Sequence, residues 1–71
     1  MPACAYMYSI EVLRLDTRDV VVSTNGDLVT RRPFEEVELR RYAVDVVAQR
    51  LGVPARSLEL VTFSYTTLPN L

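Results

Sequence analysis

Asn25-Gly26 stands between two apolar, β-favouring runs, Val20-Val21-Val22-Ser23-Thr24 before it and Asp27-Leu28-Val29-Thr30-Arg31 after it. No other feature constrains the chain so strongly. A two-residue type I′ turn needs positive φ at both central positions, and Asn and Gly accept that conformation at the least steric cost. The pattern predicts a tight hairpin with Thr24 opposite Asp27 and Val22 opposite Val29. Val20, Val22 and Val29 then share one face of the sheet, while Val21 and Leu28 point to the other.

Around this hairpin the remaining elements follow from breakers and period. Tyr6 to Leu15 carries no breaker and many β-favouring side chains, and the polar cluster Asp16-Thr17-Arg18-Asp19 closes it, which predicts a first strand. From Phe34 to Leu51 the apolar residues recur at the helical period. Pro33 suits the first turn, Glu35, Glu36 and Glu38 sit where the helix dipole favours negative charge, and Gly52 is placed for a left-handed cap before Pro54. Leu58 to Thr67, rich in aromatic and β-branched residues, predicts a fourth strand. The expected fold is α+β in the order β-β-β-α-β. It has a three-stranded antiparallel meander, a fourth strand returning to the same sheet, and one helix on one face. Residues 1–71 form a single domain in this reading, with 1–5 and 68–71 fraying at its ends.

The faces of this sheet carry more apolar surface than one helix can cover. If the Asp16 to Asp19 turn pairs Leu15 with Val20, Leu13 and Leu15 join the face of Val20, Val22 and Val29. Tyr8, Ile10 and Val12 then join that of Val21 and Leu28. The fourth strand divides similarly, Leu58 and Leu60 pointing one way and Val61, Phe63 and Tyr65 the other. The helix stripe of Val37, Val44, Val47, Ala48 and Leu51, widened by Leu39, Tyr42, Ala43 and Val46, is broader than one sheet face requires.

A chain of 71 residues buries only about 60% of its unfolded surface, and Cys4 as sole cysteine rules out an intramolecular disulfide. Self-association is the remaining staple. The sequence therefore points to a non-enzymatic interaction module, a homodimer burying an apolar sheet face, with Tyr8, Ile10, Val12, Val21, Leu28, Phe63 and Tyr65 as its contacts. A different protein partner on the same surface is the variant of this reading. A small regulator, inhibitor or accessory factor would have this character.

Several chemistries are disfavoured. The chain has no histidine, so the Ser-His-Asp and Cys-His nucleophile pairs are absent together with the commonest metal ligand. No cofactor and no metal is expected, and the first-turn position of Glu35, Glu36 and Glu38 accounts for them through the helix dipole. Cys4 has no histidine or lysine to lower its pKa. A lone, unpaired cysteine fits the reducing cytoplasm, and no apolar run approaches a membrane span. A net charge of −1 supplies no general attraction to nucleic acid. Arg31-Arg32-Pro33-Phe34 and Arg40-Arg41-Tyr42 set guanidinium groups beside aromatic rings, the composition of a single-stranded nucleic-acid contact; acidic residues interrupt both clusters, and a single-stranded nucleic-acid binder using Arg31, Arg32, Arg40 and Arg41 is the further alternative.

The junction Leu51-Gly52-Val53-Pro54, followed by Leu58-Glu59-Leu60-Val61 and taken with Pro2 after the initiator methionine, resembles pieces of the small tautomerase family. The resemblance covers about a dozen residues. It implies an oligomeric βαβ fold and an enzyme in which Pro2, once Met1 is removed, acts as the base. The chain departs from that pattern where a hairpin is expected after the first strand, the place of a helix in the family.

Overall fold

The computed structural model describes residues 3–17 and 20–68. Three strands form one antiparallel sheet in the order β2-β1-β3, with β1 at Cys4–Arg14, β2 at Val20–Thr30 and β3 at Leu58–Leu68. One helix, α1 (Glu36–Leu51), lies between β2 and β3 in sequence, and a short 3-10 turn at Ala55–Ser57 precedes β3. The α+β class is as expected, but the sheet has three strands among the described residues, and the expected four-strand order is corrected accordingly.

The correction lies at Asn25-Gly26, which makes no turn. β2 runs straight through it, and each of its eleven residues is paired with β1, from Val20 opposite Arg14 to Thr30 opposite Cys4. Among the described residues, Gly52 is the glycine with positive φ, so Gly26 does not adopt the turn conformation. Gly26 answers a different demand. It faces Tyr8 across the ladder, and a Cβ built there would collide with the Tyr8 hydroxyl and ring.

Strand parity changes with this. In an unbroken strand alternate residues share a face, so Val22 lies with Leu28 and Val21 with Val29. The β1–β2 connection pairs Arg14, not Leu15, with Val20. Tyr6, Tyr8, Ile10 and Val12 thus share a face with Val22, Thr24, Gly26 and Leu28. On β3 a bulge at Val61 shifts the register, with Glu11 opposite Thr62 and Val12 opposite Leu60. The extra residue resets the alternation, so Leu58 comes onto the same face as Phe63 and Tyr65.

The α1 helix packs on that face. Ala43, Val47 and Ala48 meet Tyr8, Ile10, Val12 and Leu58 to form the core, and Ile10, Leu39 and Val12 are the largest fully buried side chains. Its amino terminus is fixed by the Glu35 N–H donating to the Glu38 carboxylate at 3.1 Å, the reciprocal arm of a capping box. At the other end Gly52 adopts φ 70°, and the N–H groups of Gly52 and Val53 donate to the carbonyls of Gln49 and Ala48 at 3.2 and 3.0 Å. This is the Schellman arrangement, which needs a residue that tolerates left-handed backbone. Val37, placed in the apolar stripe by periodicity, is 58% exposed.

The molecule measures 43 × 17 × 17 Å. Eleven extended residues span about 37 Å and sixteen helical ones about 24 Å, so α1 covers only part of the face it packs on. Of the residues expected to fray, Cys4, Ala5 and Leu68 belong to the ladder, Ala5 pairing with both Val29 and Leu68, while 1–2 and 69–71 lie outside the described residues. No helix among the described residues is long and apolar enough to cross a membrane.

Candidate interaction surface

With α1 on one side of the sheet, no element among the described residues covers the opposite side. Here Ala5, Met7, Ser9, Glu11 and Leu13 of β1 lie beside Val21, Ser23, Asn25, Asp27 and Val29 of β2. Met7, Val21 and Val29 are 53%, 50% and 64% exposed. The apolar groups gather at the two ends of this reverse face, Leu13 with Val21 at one and Ala5 and Met7 with Val29 at the other. The middle is polar. The Ser9 hydroxyl donates to Asn25 Oδ1 at 2.8 Å and the Thr62 hydroxyl to Glu11 Oε1 at 2.7 Å.

The seven residues expected at the interface do not share this surface. Tyr8, Ile10 and Val12 are core residues beneath α1. Leu28 and Phe63 are half-buried on the helix side, and Tyr65 lies on that side at the β3 edge, 39% exposed. Val21 alone of the seven lies on the reverse face. The physical reason is parity: once the Asn25-Gly26 turn is removed, Val21 and Leu28 fall on opposite faces, and the helix selects the face holding Tyr8, Ile10 and Val12. Met7, Leu13 and Val29 were not among the expected contacts. Reading 20–30 as one strand is the signal that finds them.

The aromatic residues form a connected group on the helix side. Tyr8 stacks on Phe63 with ring centroids 6.2 Å apart and meets Tyr42 of α1 edge-on at 6.3 Å, while Tyr65 lies 6.1 Å from Phe63 and 6.4 Å from Tyr6. Such pairs add about 0.5–1.5 kcal/mol each beyond the area they bury. Burial pushes the Tyr8 phenol above its ordinary value, with the neighbouring Tyr42 adding to the rise. The Tyr6 hydroxyl accepts a hydrogen bond from the Phe34 N–H at 2.8 Å, which ties the segment before α1 to the sheet.

The arginine clusters are partly committed within the protein. Arg32 pairs with Glu38 at 2.6 Å and lies 4.8 Å from the centre of the Phe34 ring, and Arg40 pairs with Glu36 at 2.5 Å. The Arg32 guanidinium, with the Glu35 N–H, holds the Glu38 carboxyl at about 2. Arg31 and Arg41 are exposed. An open groove of about 350 Å³ on α1, lined by Phe34, Val37, Glu38, Arg41, Tyr42 and Asp45, mixes both charges with apolar walls.

Pro2, the base that the tautomerase resemblance implies, lies outside the described residues. The element after β1 is a second strand rather than the helix of the tautomerase pattern. No protein-family model matches the chain. No curated protein and no solved structure matches it.

Proposed function

We propose that this chain is a non-catalytic protein–protein interaction module that works as a homodimer, in the manner of a small regulator, inhibitor or accessory factor. One observation carries the reading: the reverse face of the sheet, which no element among the described residues covers, exposes Met7, Val21 and Val29 by half or more of their surface. Exposed apolar surface that recurs on one face supports an interface, because a partner there removes it from water at about 25 cal/mol per Å² of apolar area. For a chain this small, association also adds the core that a single copy lacks.

Solution mass by light scattering across a dilution series tests the reading. The chain is expected to be dimeric, and Val21→Asp and Val29→Asp are expected to yield folded monomers, since neither side chain belongs to the core. A monomeric wild-type chain at every concentration overturns the proposal.

A further inference from the structure

We infer that two copies of the chain associate edge to edge through β2, which pairs antiparallel with its own copy about a two-fold axis at Asn25 and so joins the two sheets into one. The inference rests on the homodimeric reading above but places the contact at the β2 edge, beside the reverse face rather than on top of it. Among the described residues β2 is hydrogen-bonded to β1 on one side only, which leaves an eleven-residue outer edge with unpaired backbone groups. Such an edge is a template for another strand unless it is short, charged, bulged or interrupted by proline. β2 is long, has no proline, and carries Asp27 as its one charge.

The occupant is read from the strand's own symmetry. Two-fold antiparallel pairing centred on Asn25 sets Val21 against Val29 of the copy, Val22 against Leu28, Ser23 against Asp27 and Thr24 against Gly26. Apart from Val20, which meets Thr30, apolar residues meet apolar residues on both faces, and the one carboxylate meets a hydroxyl rather than its twin. At the centre Asn25 meets Asn25. Its Oδ1 accepts from Ser9, and its amide N–H groups are directed to the copy's Asn25, extending a polar row from Ser9 to Ser9 across the join.

The reverse face stays uncovered by this edge pairing, which instead aligns its apolar groups. Leu13 and Val21 end one protomer's sheet at the position where Val29 and Ala5 of the copy begin, so the two separate apolar patches become continuous rows across the join. The other edge is less suited. β3 carries the Val61 bulge in its ladder with β1, and a bulge bends and twists an edge away from a regular partner.

Cysteine cross-linking reads the register directly. In a Cys4→Ser background, Asn25→Cys places two thiols on directly opposed residues, within the reach of a disulfide. Mild oxidation is expected to give a covalent dimer from Asn25→Cys, and from Val21→Cys mixed with Val29→Cys, while neither of the latter links to itself. A dimer by light scattering that forms no cross-link at Asn25→Cys and none in the mixture overturns this geometry and leaves the homodimeric reading standing. A monomer under all conditions overturns both. Circular dichroism of each variant confirms that the thiols are presented by the folded chain, and a misfolded Asn25→Cys leaves the decision to the Val21 and Val29 mixture.

Discussion

Tyr8 stands directly opposite Gly26 in the β1–β2 ladder, and its ring and hydroxyl occupy the space that a side chain at Gly26 would need. A glycine in the middle of a strand weakens it by removing packing surface and adding chain entropy, and an aromatic ring laid over it from the neighbouring strand restores the lost contact. Tyr8 does so while holding Phe63 and Tyr42 around itself.

Gly26→Ala forces Tyr8 to move and should cost about 1–3 kcal/mol, the range for overpacking a filled site. In a Tyr8→Ala background the same substitution should cost little. A double-mutant cycle by urea denaturation measures the coupling, and equal costs in both backgrounds would show that the ring does not constrain position 26.

Gly52 presents a different glycine requirement. It sits at φ 70°, with nothing within 4 Å of the place a Cβ would occupy, so a substitution there meets backbone strain and no clash. Gly52→Ala should destabilise by about 1–2 kcal/mol, the cost of left-handed backbone for an L-residue. Gly52→Asn should cost less. Thermal unfolding of the two variants gives the order, and equal midpoints would remove the cap argument.

Core truncation should separate the two sides of α1. Leu39→Ala and Val47→Ala remove buried side chains, and for Leu39 the loss should be about 2–5 kcal/mol. Val37→Ala, at an exposed position of the same helix, should stay within about 0.5 kcal/mol. Chemical denaturation of the three variants checks the ranking.

Two groups give opposite pH dependences. Glu38 is held at about 2 against an ordinary 4.5 by Arg32 and the Glu35 N–H. Its folded pKa is depressed, so its contribution is present above the ordinary carboxylate range and is lost as pH falls toward 2. Glu38→Gln should flatten the acid decline of the thermal midpoint, and an unchanged slope would sink the assignment. The Tyr8 phenol is raised above its ordinary 10.0 by burial. The folded state therefore holds that proton longer, and stability is lost as pH rises above about 10. An ultraviolet titration should lose a tyrosine step above the ordinary value in Tyr8→Phe.

The part of the fold legible in the sequence is local. The bounds of α1 within two residues, the Gly52 cap, the β1 and β3 segments and most of the helix stripe follow from period, propensity and breakers, each acting within about one turn of chain. The tertiary structure decided the fate of Asn25-Gly26 and, through it, the faces. A turn there would strip β1 of its β2 partners from Cys4 to Tyr8, the residues now paired with Gly26 to Thr30. Each ladder hydrogen bond contributes about 0.5–1.5 kcal/mol, so several together outweigh a turn preference held by two residues. The same long pairing set the parity that buries Tyr8, Ile10 and Val12 and exposes Met7, Val21 and Val29. Parity depends on which strand lies alongside, and that partner is remote in sequence for β3 and set by the length of the ladder for β2.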